Sequence, residues 1–398
     1  MRITQLKDIA DIQTGPFGSQ LHKKDYVEDG TPIVTVEHLG NRVFTDQNLP
    51  RISDNDKARL SKYTLSTGDI VFSRVGSVDR CSYVDKSHDG WMFSGRCLRV
   101  RPTEMVDALY LYYYFCLEGT KQFIRNIAVG ATMPSINTKL LGEVKIALPN
   151  MNNQKQIAAV LSSLDDKIEN NQKLNDNLLE QASTLFNSAI QQSTSVVYAE
   201  LGSLAEVKGG KRLPKGVNLV TTPNQHPYIR VRDLNNTVFA SLSNDYEYVD
   251  DETQQSISRY TVSTGDLLIS IVGTIGLTAI VDHTLNKANL TENCVKLTNI
   301  KNITPEYLLL FLRSLQGVEA ISKGTVGAVQ LKLPIKNIQS ITVPLLCDEG
   351  LQPLQETLSA IFSQISANIV EMKQLADIRD TLLPKLMSGE LDVSSLDL

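Results

Sequence analysis

The chain has little of what a catalytic, metal-binding or membrane protein needs. Its five cysteines, Cys81, Cys97, Cys116, Cys294 and Cys347, are dispersed with no CxxC pair. Neither a zinc site nor a disulfide framework is indicated, and a reducing cytoplasm is the expected compartment. The five histidines (His22, His38, His88, His226, His283) form no cluster, so no metal site is expected. The longest uncharged run, Leu267–Val281, is too short to span a bilayer. The N-terminal MRITQLKDIADIQ interleaves charges with apolar residues and lacks the apolar stretch of a secretory signal. Gly209-Gly-Lys-Arg212 has neither the spacing nor the Ser/Thr of a phosphate-binding P-loop. There is no dinucleotide fingerprint, no HExxH, and no Asn-Pro-Pro-aromatic tetrapeptide of the kind that amino-group DNA methyltransferases carry. Glu143-Val-Lys145 and Glu206-Val-Lys208 have an acid-x-Lys spacing too common to imply a nuclease. No catalytic residue, metal or cofactor is therefore expected.

The formal net charge of -5 argues mildly against a polyanionic partner, but the charge is unevenly spread. Most of the excess acid falls in two helical segments, chiefly the C-terminal one. Val207–Arg232 carries Lys208, Lys211, Arg212, Lys215, Arg230 and Arg232 with no acid between them. Arg74–Arg101 is also rich in bases. Local patches of this kind matter more for phosphate binding than the net charge does.

What the chain does have is a copy of itself. Arg59–Val78 (RLSKYTLSTGDIVFSRVGSV) repeats as Ser256–Ile275 (SISRYTVSTGDLLISIVGTI), about 197 residues later. Tyr63 maps onto Tyr260, Thr67-Gly68-Asp69 onto Thr264-Gly265-Asp266, and Pro149 onto Pro344. Gly-Asp before an apolar strand is ordinary turn chemistry, and a structural role is expected for both Asp69 and Asp266. Short β-branched runs between Gly/Asn/Asp turns, plus apolar stretches at Met105–Leu117 and Pro305–Leu315, predict an α+β fold. The expected domains are 1–150, a helix over 151–195, a second domain over 196–346, and a helix with tail over 347–398.

Each helical segment carries a heptad pattern. In the first, Ile157, Leu164, Asn171, Leu178 and Leu185 occupy d sites, and Leu161, Ile168, Asn175, Ala182 and Ala189 occupy a sites. In the second, the d sites are Leu354, Ile361, Asn368, Leu375 and Leu382, and the a sites are Leu358, Ile365, Met372, Arg379 and Leu386. Asn171 and Asn368 fall at equivalent positions, and a polar residue in such a seam fixes register at a cost in stability. The two helices are expected to pair antiparallel, relating the repeats by a pseudo-twofold axis. Pro384 should kink or end the second helix near Leu383. The expected rods are roughly 58 and 45 Å long at 1.5 Å per residue.

Polar glycine-rich loops open both domains. Gly15-Pro-Phe-Gly-Ser-Gln-Leu21 is followed by Lys23 and Lys24, and Gly209-Gly-Lys-Arg-Leu-Pro-Lys-Gly216 stands at the equivalent place. Glycines let backbone N–H groups approach phosphates, while Lys, Arg, Ser and Gln supply charge and donors for base edges. Ser19, Gln20, Lys23, Arg74 and Arg96 are the expected DNA contacts of the first domain. Lys211, Arg212, Lys215, Arg230 and Arg232 are those of the second.

The segments GPFGSQLHKKDYVEDGTPIV, GATMPSIN with IALPNMNNQKQIAAVLSSLDDKIENN, GGKRLPKG with HPYIRVRDL, and TLLPKLMSGELDV resemble the specificity subunit of type I restriction–modification systems. The resemblance covers essentially the whole chain, in family order. It implies two target-recognition domains alternating with two helices, each domain reading one half of a bipartite site in double-stranded DNA. It implies no catalytic centre. Two modification subunits, which methylate adenine with S-adenosylmethionine, would dock on the helices, and restriction subunits would join through them. No membrane partner is implied. Val326-Gly-Ala-Val-Gln330 departs from Ala131-Thr-Met-Pro-Ser135, its counterpart by this reading. The rival reading is a coiled-coil assembly scaffold that does not read DNA itself.

Overall fold

The structure, a computed structural model, describes residues 1–393 except Phe17, Ser19, Asn41, Val329 and Cys347; the side chains of Lys23, Asp348 and Glu349 also lie outside the description. It divides into two compact units, Met1–Asn170 with Glu371–Leu398, and Asn171–Val370. The division runs through the middle of two long helices, Met151–Gln192 and Asp348–Ser388. No helix among the described residues is long and apolar enough to cross a membrane.

The globular parts of the two units share one plan. In the first, four antiparallel strands lie in the order Ala10–Thr14, Cys97–Pro102, Ile70–Ser73, Cys81–Tyr83. In the second, the order is Glu206–Gly209, Cys294–Thr298, Leu267–Ser270, Thr278–Val281, with Phe239–Ala240 added in parallel at the edge. Even the register is repeated. Ile70 faces Val100 and Leu267 faces Leu297. The turn into the central strand needs glycine, because Gly68 and Gly265 adopt φ of 96° and 85°. The aspartates that follow are structural, as expected. Asp69 accepts from the Ser66 N–H at 2.8 Å and pairs with Arg101 at 2.7 Å. Asp266 accepts from the Ser263 N–H at 2.8 Å and faces Lys296 at 3.3 Å.

Behind each sheet packs an apolar helix, Ala108–Cys116 or Pro305–Arg313. Asp107 caps the first by accepting from the Tyr110 N–H, and Thr304 caps the second by accepting from the Tyr307 N–H. Both helices then use one tyrosine in the same way. Tyr110 donates to the Ala147 carbonyl at 2.6 Å, and Tyr307 to the Pro344 carbonyl at 2.7 Å. Each bond satisfies a buried hydroxyl and ties the helix to a two-stranded ladder. The ladders are Arg2–Gln5 with Lys145–Leu148, and Val196–Glu200 with Thr342–Leu346.

The long helices pair antiparallel within each unit. In the first, Asp165 meets Arg379 at 2.6 Å and Lys167 meets Glu371 at 3.6 Å, so partner numbers fall as chain numbers rise. In the second, Asn368 donates to Asn175 at 2.7 Å. Ala182 and Phe186 then share a core with Phe362 and Leu358, further back along the partner helix. The polar seam pair is thus Asn175 with Asn368. Asn171 is also buried. The pairing does not replace packing of the helices on the globular parts; both occur in one core. In the first unit Ile157, Ala158, Leu161, Leu383, Leu386 and Met387 share a cluster with Phe72, Leu98 and Tyr113. In the second, the Phe186 ring meets Tyr307 edge-on at 4.9 Å.

Two expectations are corrected here. The heptad frame holds at the a sites Leu161, Ala182, Leu358 and Ile365, all buried, but the d sites do not all follow. Ile157 is buried and Leu164 and Leu178 are half-buried, while Leu185 is exposed and its neighbour Phe186 is buried; the a site Ile168 is also only half-buried. A straight helix of 3.6 residues per turn drifts about 20° per heptad against a strict seven-residue repeat. Over the four heptads from Ile157 to Leu185 that drift amounts to nearly one residue. On the partner helix Leu354, Ile361 and Leu375 are half-buried, while Gln355, Phe362 and Leu383 are buried. Second, of the kink or end expected near Leu383, the end does not occur: the C-terminal helix runs to Ser388. Pro384 removes one backbone donor, and burial of Leu383, Leu386 and Met387 holds the last turn in place. The helices therefore contain 42 and 41 residues, nearly equal rods of about 60 Å.

Phe186→Ala should cost about 3–5 kcal/mol in equilibrium unfolding. Leu185→Ala, one residue away, should cost under about 0.5 kcal/mol. Urea denaturation of both variants checks this; similar losses would reject the drifted seam.

Candidate nucleic-acid interface

At one end of each sheet, three loops meet in the same hydrogen-bonded frame. The opening glycine-rich loop runs against the loop that enters the second strand of the sheet. Gly15 donates to the Cys97 carbonyl at 3.2 Å and Gly210 to the Cys294 carbonyl at 3.0 Å. Any side chain there would collide. A Cβ on Gly15 would lie 2.1 Å from the Ser94 oxygen, and one on Gly210 would lie 2.0 Å from the Thr291 oxygen. The third loop closes the frame, with Val129 bridged to Ser135 and Val326 bridged to Lys332. Val75 also bridges Ser135, and Val272 bridges Lys332. The divergent Val326 loop thus has the same backbone role as its counterpart. Val326 corresponds to Val129, two residues earlier than the sequence comparison implied. What survived divergence is a turn glycine, Gly130 at φ 107° and Gly327 at φ 118°.

The expected DNA contacts fall into different positions around these frames. Ser19 and the Lys23 side chain lie outside the described residues. Gln20 is half-buried and accepts hydrogen bonds, through its side-chain oxygen from the Tyr63 hydroxyl at 2.8 Å and through its carbonyl from Arg59 at 2.9 Å. It helps shape its own loop. Arg74 donates to the Gly95 carbonyl at 3.3 Å, while Arg96 is exposed. Other bases of this stretch serve the fold. Arg99 is buried against Asp11 at 2.7 Å, Arg101 holds Asp69, and Arg80 holds the Leu39 carbonyl.

In the second unit the frame opens into a cleft of about 440 Å³ lined by Arg212, Tyr228, Arg230, Arg232, Glu292 and Asn293, among others. Three of the five expected bases meet there. Lys211 is exposed, with its ammonium 5.5 Å from the Tyr260 ring centroid, and Lys215 is exposed on the same loop. The acid-free stretch is not acid-free in space. Arg212 pairs with Glu292 at 2.7 Å. Arg230 pairs with Glu247, and Arg232 lies 3.4 Å from Asp233 and 3.6 Å from Glu247. Arg230 is half-buried, so it supports the cleft as well as lining it.

The carboxylates respond to this setting in opposite directions. Burial tends to raise Glu292, but hydrogen bonds from Arg212, its own backbone and Thr291 outweigh it and hold the group below the usual range. Burial dominates at Asp233 and pushes it up to about 6 despite Arg232. None of these acids was singled out from sequence. Glu292 and Asn293 could have been found by laying Thr291-Glu-Asn293 over Ser94-Gly-Arg96; nothing in sequence pointed to Glu247.

The Asp233 pKa gives a pH test. An unfolded aspartate titrates near 3.9. The folded state holds the proton more tightly, so this group favours folding fully below about pH 4, and that contribution is lost as pH rises through about 6. Thermal melts from pH 4 to 7 should show the parent losing stability relative to Asp233→Asn across that window. Parallel curves would reject the burial effect.

Comparison with known proteins places these features. The family model described as type I restriction modification DNA specificity domain matches twice, over residues 1–180 and 195–379. The type I restriction enzyme MjaIX specificity subunit of Methanocaldococcus jannaschii is 23% identical, over 99% of this chain and 94% of its own length. The HindI specificity subunit of Haemophilus influenzae is 22% identical, over 83% of this chain and 88% of its own. Among solved structures, the type I restriction-modification system S subunit from M. genitalium aligns over 97% of this chain and 95% of its own, with a TM-score of 0.57 at 18% identity. That likeness shows the same fold. Two matches that together span nearly the whole sequence, on two units of one plan, make this chain a member of the type I restriction–modification DNA specificity family.

Proposed function

We propose that the chain is the non-catalytic DNA-binding subunit of a cytoplasmic type I restriction–modification complex. The recognition regions, 1–150 and 196–346, each read one half of a bipartite asymmetric site in double-stranded DNA. The observation that carries this reading is the repeated frame with unlike side chains. The backbone hydrogen bonds at Gly15 and Gly210 match, yet one frame displays Arg74 and Arg96 and the other Arg212, Arg232 and Asn293. A fixed platform with exchangeable donors suits base readout, where phosphate contacts position the protein and base contacts specify the sequence. Lys211 and Lys215 are phosphate ligands in this reading, as exposed flexible cations on a glycine-containing loop.

The helical segments, 151–195 and 347–398, set the unread gap and dock two modification subunits, through which restriction subunits join. Methylation and cleavage belong to those partners. The buried seam cannot be the docking face, because its side chains are already covered. The exposed apolar residues of the same helices can be. Leu174, Leu185 and Val370 of the second unit and Ile378 of the first expose 44%, 43%, 39% and 47% of their surface. In this reading they form part of the partner contact.

Two measurements test these assignments. With modification subunits present, Lys215→Ala should weaken binding to all duplexes alike and reduce the salt slope by about one. A gel shift of the parent complex that detects no duplex binding would favour the assembly-scaffold reading instead. Leu174→Asp combined with Leu185→Asp should reduce co-elution with modification subunits while leaving the thermal melt of the chain near that of the parent. Undiminished co-elution would place the docking face elsewhere.

A further inference from the structure

We propose that Arg96 and Asn293 are base-reading residues standing at one shared position in the two repeats. Arg96 would read a guanine and Asn293 an adenine, each in a different half-site. The inference rests on the DNA-reading function proposed above and adds named residues and named bases to it.

The two positions coincide by backbone bonding. The Arg96 carbonyl accepts from the Arg74 N–H at 2.8 Å, and the Asn293 carbonyl accepts from the Ile271 N–H at 2.8 Å. Each residue immediately precedes a cysteine that closes the same tight turn. Cys97 donates to the Ser94 carbonyl at 2.9 Å, and Cys294 to the Thr291 carbonyl at 3.1 Å. The turn is anchored on its other side in both repeats, by Ser94 donating to Val34 at 2.8 Å and Thr291 donating to Ile229 at 3.0 Å. The third loop is tied to the same neighbours, with Ile136 donating to Arg74 at 2.9 Å and Leu333 to Ile271 at 3.0 Å. Residue 96 and residue 293 are thus held by equivalent bonds on every side.

The side chains at this position are not committed to the fold. Arg96 is exposed, and Asn293 lines the basic cleft beside Arg212 and Arg232. Among the described residues, neither the guanidinium nor the amide has a hydrogen-bond or ion-pair partner. That separates them from Arg99, Arg101, Arg212 and Arg230, which are all paired with carboxylates. A rigid backbone presenting a planar donor with no partner in the protein is what bidentate readout requires. An Arg fork matches the O6 and N7 acceptors of guanine, and an Asn amide matches N6 and N7 of adenine.

The experiment is modified-base sequencing of DNA methylated by the complete complex. Arg96→Ala should relax one guanine in one half-site and leave the other half-site unchanged. Asn293→Ala should relax one adenine in the opposite half-site. Discrimination at each position should fall by about tenfold to a hundredfold. Arg96→Asn should shift the relaxed position from guanine toward adenine. An unchanged motif with Arg96→Ala would overturn the proposal, as would a uniform loss of methylation at all sites with the motif kept, which marks a phosphate contact. Loss of all methylation with both Ala and Asn at position 96 would also overturn it, since that marks a general affinity or folding role. Failure of the parent complex to bind or modify any sequence would instead overturn the proposed function itself.

Discussion

Each unit depends on a core that its globular part cannot close alone. The sheet and its apolar helix present Phe72 and Tyr113 in the first unit, and Tyr307 and Phe311 in the second. The surface opposite is supplied by residues distant in sequence, from both long helices. Polar contacts reinforce the arrangement where the helices meet the first globular part. Asp165, almost fully buried, accepts from Tyr113 at 2.6 Å and from Arg379 at 2.6 Å. Arg42 reaches the same helix and bonds Glu169 at 2.7 Å, with Asp166 beside it. Burial works against the Arg42 charge, and those carboxylates more than compensate, raising its pKa. A buried ion is tolerable only with partners of this quality. The helices are therefore structural walls of the recognition units as well as connections between segments of chain.

Much of this could be read in the sequence because the physics was local or repeated. The a-site apolar residues, the Thr-Gly-Asp turns and the 197-residue repeat are patterns of spacing, and each corresponds to a physical element. The rest was hidden where the outcome depended on competition. Pro384 reads as a stop, but the buried Leu386 and Met387 beyond it outweigh one missing hydrogen bond. The heptad count assigns Leu185 to the seam, but helix pitch delivers Phe186. The basic stretch ending at Arg232 looks uncompensated, but the fold brings Glu247 and Glu292 to it from well beyond that stretch. Long-range charge pairing has no signature in a linear window.

The repeat also separates what is fixed from what is free. Backbone donors and acceptors, turn glycines and two tyrosine hydroxyls recur at matching positions with nearly matching lengths. Side chains at the mouth of that framework do not recur; exposed Arg96 stands opposite half-buried Asn293, and half-buried Arg74 opposite Ile271, which is buried in the second core. Divergence at an exposed position such as Arg96 leaves the folding energetics of the frame almost untouched, because surface substitutions away from paired groups have small effects on stability.

The carboxylates that hold Arg212, Arg230 and Arg232 have a kinetic meaning on the proposed reading. A cation already paired within the protein releases fewer counterions when it meets a random phosphate, so its attraction to arbitrary sequence is weaker. Most encounters of such a protein in a genome are with incorrect sites. A surface that neutralises its own arginines spends less time on them and reaches the next site sooner, conserving its strong contacts for a duplex whose geometry can displace Glu292 and Glu247.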